Sequence, residues 1–195
     1  MSKLEANQVD PATGTTLTLG TSGDTIAIPS GVTLANSGTA TGFAANTAEF
    51  LAYIAGADQT GIADGVWTKV TFQTESYDPD SVYDNSTNYR FVAPSAGKYY
   101  LYSNIVALDG STDIQKFILG FYKNGSLAAQ CSFNKNSGGR FKKANQTLDL
   151  VLNLSASDYI EVYVNIDTVD GGTSDIQERG SGIIENYFGG YKLIT

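Results

Sequence analysis

From Lys98 onward Tyr99, Leu101, Ser103 and Ile105 fall on one side of an extended chain and Tyr100, Tyr102, Asn104 and Val106 on the other. That is the period of two that a pleated strand imposes and a helix cannot use. Both sides carry bulk, which predicts a central strand rather than a rim. The residues before it set its start. Pro94 fixes its own φ and pushes Ala93 toward extended geometry, while Gly97 supplies the freedom for the chain to reverse into Lys98.

Further alternations follow the same rule. Residues 50–55 and 66–72 read as the first two strands of the main domain, with Trp67, the only tryptophan, as a core plug where a strand leaves a Gly-containing loop. Residues 75–89 read as a long exposed polar loop. A strand at 117–122 runs into Asn124-Gly125, both of which accept the positive φ of a type I′ hairpin turn, and returns through 127–133. Leu148, Leu150, Leu152 and Leu154 alternate with polar residues, as do Ile160, Val162, Val164 and Ile166, and the two runs read as a second hairpin with one buried face. Residues 167–182 form a polar loop, and 183–194 close the domain. About eight strands at close spacing with no helical period predict an all-β sandwich. A composition rich in Tyr, Gly, Thr and Ser points the same way.

Residues 1–46 differ in composition from 47–195, which divides the chain into an N-terminal attachment segment with a β-rich stem and a main domain. There is no aromatic before Phe43, and Asp24 is the last charge before Glu49. Short triplets recur here: Leu17-Thr18-Leu19, Ile26-Ala27-Ile28 and Val32-Thr33-Leu34, split by Gly20 to Gly23 and by Pro29-Ser30-Gly31. A lone chain with so few apolar groups does not offset its backbone entropy, whereas three identical chains wound about an axis bury these aliphatics against each other. A flexible Gly/Ser/Thr linker is the alternative.

Several function classes fall away. The net charge of −8 repels phosphate backbones, and the one basic run, Arg140, Lys142 and Lys143 beside Phe141, reads as a solvated loop. One cysteine, Cys131, permits no intrachain disulfide and reads as a small buried hydrophobe. With no histidine, Ser-His-Asp and Cys-His triads and His-ligated metals are excluded. No apolar run spans a bilayer and no h-region follows the first residues, so cytoplasmic synthesis without secretion or membrane insertion is expected.

The motifs Phe50-Leu51-Ala52-Tyr53, Gly61-Ile62-Ala63-Asp64-Gly65-Val66-Trp67-Thr68-Lys69-Val70, Tyr83-Asp84-Asn85-Ser86-Thr87-Asn88-Tyr89-Arg90-Phe91 and Ala93-Pro94-Ser95-Ala96-Gly97-Lys98-Tyr99-Tyr100 resemble the globular head of complement component one, subcomponent q. Tyr122-Lys123-Asn124-Gly125 and Tyr187-Phe188-Gly189-Gly190-Tyr191 continue the likeness over residues 47–195. The resemblance implies a tumour necrosis factor-like jelly roll that assembles as a homotrimer, with strand tyrosines divided between core and trimer interface. The animal members' collagen stalk is absent, since glycine does not recur every third residue before Asn46. The segment there instead resembles stem sequence of bacteriophage tail fibres and appendages.

Two site readings follow. Tyr77, Tyr83 and Tyr89, in or beside the acidic loop, combine a stacking face with a hydrogen-bonding tip and are candidate ligand contacts, for sugar or protein. Asp78, Asp80 and Asp84 supply closely spaced hard oxygens and are candidate calcium ligands, as related heads sometimes hold calcium near the trimer apex. The expected function is a virion structural protein of a bacteriophage: a trimeric tail fibre or short appendage whose N-terminal segment binds other virion proteins and whose head binds a host-surface glycan or protein. The alternatives are a capsid decoration protein or head fibre, a secreted adhesin, and a glycan-degrading tail enzyme using a carboxylate pair drawn from Asp78, Asp80, Asp84, Asp175 and Glu178.

Overall fold

A computed structural model describes residues 9, 11, 13–33, 35–38, 48–108, 113–135, 141–180 and 182–193. The chain divides into two units, Met1–Phe43 and Ala44–Thr195.

The second unit is all-β among its described residues. Its strands are β1 (Glu49–Tyr53), β2 (Gln59–Ile62), β3 (Thr68–Lys69), β4 (Thr74–Tyr77), β5 (Tyr83–Asp84), β6 (Arg90–Val92), β7 (Gly97–Leu108), β8 (Ile114–Lys123), β9 (Ser126–Asn134), β10 (Lys143–Leu154), β11 (Tyr159–Thr168), β12 (Ser174–Ile176) and β13 (Tyr187–Lys192). One sheet runs β2-β12-β7-β13-β1-β4 with β10 on the other side of β7, and the second runs β5-β6-β11-β8-β9 with β3 beside β11. Every pairing is antiparallel. The long strand β7 is central as its two bulky faces predict, paired to β10 along its whole length on one side and to β13 and β12 in succession on the other.

The core lies between the sheets. Tyr99, Leu101 and Ile105 of β7, Phe50 of β1 and Phe188 of β13 face Phe91, Phe117, Leu119, Phe121 and Ile160, all fully buried. Phe50 is the centre of an aromatic stack, with ring centroids 5.0 Å from Phe91, 5.4 Å from Tyr83 and 4.9 Å from Phe188.

Several local readings change. The runs at 148–154 and 160–166 are not a hairpin: β10 pairs β7 and β11 pairs β8, so the chain crosses from one sheet to the other between them. Alternation shows that both strands have an aliphatic face but not whether those faces lie side by side or oppose each other across the interlayer. Here they oppose. Trp67 is not a core plug. It lies half-buried on the outer face of the second sheet, edge-on to Tyr122 at 5.5 Å, and over Gly120, where a Cβ would meet its ring at 3.1 Å. Of residues 66–72 only Thr68 and Lys69 pair as strand, although Val70 and Phe72 remain buried. Two short strands, β2 and β12, lie inside stretches read as loop and pair with each other. Cys131 is half-buried, with its thiol 3.3 Å from the Thr147 carbonyl, and burial raises its pKa. In the basic run, Arg140 lies outside the described residues, and Lys143 pairs with Glu185 at 3.0 Å.

The Asn124-Gly125 turn is as expected, with φ of 51° and 78°. Asn124 also ties the hairpin tip to the β10–β11 crossover. Its Oδ1 accepts from the Tyr159 amide at 2.9 Å, and its Nδ2 donates to Asp158 at 2.7 Å. Asp158 further accepts from the Ser155 amide at 2.7 Å and pairs with Lys123 at 2.8 Å. Lys123 first, then Asn124 and the Ser155 amide, hold the Asp158 carboxyl down to about 2. An aspartate of an unfolded chain titrates near pH 4. The folded value is the lower one, so the stabilisation is fully present above about pH 4 and is lost as pH falls toward 2. Asp158→Asn is therefore expected to lower the thermal midpoint at pH 7, with the deficit against the parent protein narrowing as pH falls from about 4 to about 2. Calorimetry across that range checks it.

In the first unit residues 17–19, 26–28 and 32–33 form no hydrogen-bonded strand within the single chain among the described residues, and Leu34 lies outside them.

Candidate functional site

The tyrosines singled out in the acidic loop do not form one site. Tyr83 is 5% exposed and stacks on Phe50, so it belongs to the core and its hydroxyl pKa is pushed far above the ordinary value by burial. This corrects its reading as a ligand contact. Tyr89 is half-buried with φ of 49° and closes the turn before β6. Only Tyr77 is largely exposed, at 42%.

Nor do the three aspartates gather. Asp78 accepts from the Val82 and Tyr83 amides at 2.9 and 2.8 Å. Asp80 accepts from the Ala48 amide at 2.7 Å. Asp84 accepts from the Ser86, Thr87 and Asn88 amides and from Asn88 Nδ2, and these donors, the Thr87 amide foremost, hold its pKa well below the carboxylate range. Each carboxylate is committed to a different piece of backbone, and no cluster of three potential metal-ligating residues exists among the described residues. The acids thus order the segment read as an open loop into β4, two turns and β5. Asp175 and Glu178 are likewise bound to backbone, at the Gly61 and Gly180 amides.

The most distinctive surface is the outer face of the first sheet. Six of the chain's twelve tyrosines stand there by register: Tyr53 on β1, Tyr77 on β4, Tyr100 and Tyr102 on β7, and Tyr187 and Tyr191 on β13. Tyr100 lies 5.7 Å from Tyr102 and 5.5 Å from Tyr191, and Tyr102 lies 6.1 Å from Tyr187. The Tyr77 and Tyr102 hydroxyls are 3.5 Å apart, and Tyr100 donates to Asp149 of β10 at 3.0 Å. Burial, then the Tyr77 contact, raises the Tyr102 pKa far above its ordinary value. The hydrogen bond to Asp149 raises that of Tyr100.

Two adjacent glycines make this arrangement possible. Gly189 points outward, and a Cβ there would lie 2.6 Å from the Tyr102 ring. Tyr102 therefore lies flat across β13. Gly190 points inward, where a Cβ would lie 2.6 Å from Leu101 and 2.8 Å from the Tyr100 carbonyl. The result is a broad aromatic face, half-buried in the single chain, on which Val151 is 48% exposed. Aromatic side chains offer large contact area at low entropic cost, which suits such a face to a protein partner.

At the sandwich rim beside this face lie two strands with free edges. Among the described residues β9 pairs only β8, and β10 only β7. Between them opens a cleft of 390 Å³ walled by Phe133, Phe141 and Ala144 with Ser132 and Gln146. An unprotected long edge invites pairing or burial against another chain. Of the six, the sequence singled out Tyr77 as a candidate contact and placed Tyr100 and Tyr102 on one side of their strand. The alternation Tyr187-Phe188-Gly189-Gly190-Tyr191 puts Tyr187 and Tyr191 on one side of their strand, and the β7–β13 register sets them beside Tyr100 and Tyr102.

No family model matches the chain, and no curated protein matches it in sequence. Among solved structures it is similar to the Eiger TNF of S. frugiperda, with a TM-score of 0.51 and 14% identity over 75% of this chain and 91% of that one. At that identity the likeness concerns the fold, and the second unit has the tumour necrosis factor-like jelly roll that its sequence motifs imply.

Proposed function

We propose that this chain is a non-catalytic attachment protein: the subunit of a homotrimeric short fibre or appendage of a bacteriophage particle, anchored by its N-terminal unit and meeting the host surface with its jelly-roll head. The observation that carries the proposal is the outward tyrosine face of the first sheet beside the open β9/β10 rim. A face on one copy that covers a different surface, the rim, on the next makes a heterologous contact, and a heterologous contact that closes makes a ring. The resemblance to trimeric heads, and the tumour necrosis factor-like fold, favour closure at three. The virion assignment rests on the stem-like N-terminal segment joined to such a head. The absence of histidine from the sequence and the commitment of the loop carboxylates to backbone amides support binding over catalysis.

Antibody labelling of particles by electron microscopy tests the location. Label at the tips of thin tail appendages is expected. Label spread over the capsid would replace the fibre reading with a decoration protein, and unlabelled particles would overturn the virion assignment.

A further inference from the structure

The first unit is built as a repeat. Thr21-Ser22-Gly23-Asp24 closes with the Asp24 amide donating to the Thr21 carbonyl at 3.0 Å, and Pro29-Ser30-Gly31-Val32 closes with the Val32 amide donating to Pro29 at 3.2 Å. Both turns place glycine third, with φ of 94° and 85°, the positive φ that a type II turn demands there. Gly14 and Gly20 also have positive φ, 80° and 81°. The first turn is also locked by its own acid, since Asp24 accepts from the Thr21 amide at 2.7 Å and the Thr21 hydroxyl at 3.0 Å. A segment whose reversals are set in this way is not built as a featureless linker.

What lies between the turns is unpartnered. Leu17, Leu19, Ile26 and Ile28 are 42%, 61%, 62% and 49% exposed, and Val32, which ends the second turn, is 60% exposed. The extended pieces 17–19 and 26–28 form no strand ladder among the described residues. Each piece thus lacks both an apolar cover and a hydrogen-bonding edge. Whatever covers it must supply both at the spacing of this repeat, nine residues from Leu17 to Ile26. The same segment of another copy supplies both.

Charge agrees. Although the chain carries −8, residues 11–48 hold one charged side chain, Asp24, and its carboxylate is occupied by its own turn. Copies of this segment therefore come together without burying a charge.

We propose that residues 13–33 of three copies intertwine into a stem, with the aliphatic pairs facing a shared interior and the extended pieces pairing between chains. This rests on the self-association proposed above, and the test separates the two. Full-length protein is followed by hydrogen exchange with mass detection, with molar mass measured by light scattering on the same sample, for the parent and for the double variant Ile26→Asn, Ile28→Asn. In the parent, peptides covering 15–33 are expected to exchange roughly tenfold or more slowly than an unstructured chain. In the variant they lose that protection, while sandwich peptides and a threefold mass persist. A threefold mass with 15–33 exchanging at the unstructured rate overturns the stem and leaves the head association standing. A single-chain mass overturns the association itself and the stem with it. Protection of 15–33 in a single-chain species would show that the segment folds on its own and overturns the intertwining.

Discussion

Phe50→Ala is expected to cost about 3–5 kcal/mol of folding stability, the usual range for emptying a buried aromatic site. Phe50 is fully buried, stacked between Phe91 and Tyr83 and edge-on to Phe188. It therefore joins β1 and β13 of one sheet to β5 and β6 of the other. Those partners are backbone-paired in sheets, which leaves little freedom for them to close into the space. Denaturant unfolding checks the figure: the midpoint falls while the slope holds. Phe50→Leu is expected to recover much of the loss because it refills most of the volume. A loss below about 1 kcal/mol for the alanine variant would show that the stack is peripheral to the core.

The two adjacent glycines of β13 are expected to separate folding from assembly. Gly190→Val drives carbon into Leu101 and the Tyr100 carbonyl, and the carbonyl is held in the β7 ladder and cannot give way. Overpacking of this kind costs about 1–3 kcal/mol or more. Gly189→Val meets instead the ring of Tyr102, a side chain on the outer face that can swing away. That variant is expected to fold with a midpoint close to the parent at subunit level but to lose self-association, because the displaced ring no longer lies flat. Thermal unfolding and molar mass on the same pair of variants decide it. The account fails if Gly189→Val associates as the parent does.

The period of two located nearly all the long strands and the inward residues of β7, β8, β10 and β11, because alternation against a buried face is written directly into side-chain order. Which strands become neighbours is not. The leucines of β10 and the aliphatics of β11 look alike whether they line one sheet or oppose each other, and the choice was made by pairings with β7 and β8 far away in sequence. Short strands such as β2 and β12 escaped because three or four residues carry too little period. The site was less legible still. Residue type drew attention to Asp78, Asp80 and Asp84, but short acids near glycine, serine and asparagine as often fasten their own turns as bind a ligand. Tyr83 looked like a surface residue because its neighbours are polar, and only the position of Phe50 across the interlayer shows otherwise. Tyr100 and Tyr102 were visible as one side of a strand, with no sign of which side faced out. Their union with Tyr187 and Tyr191 required the β7–β13 register.

The most direct test of the central claim, that the head associates through its tyrosine face, is the molar mass of the full-length protein and of Tyr102→Asp by light scattering at equal concentration. The account predicts three times the 20.7 kDa chain mass for the parent and a single-chain mass for the variant with its β-sheet spectrum retained. A parent at 20.7 kDa, or a folded variant that keeps the threefold mass, would contradict it.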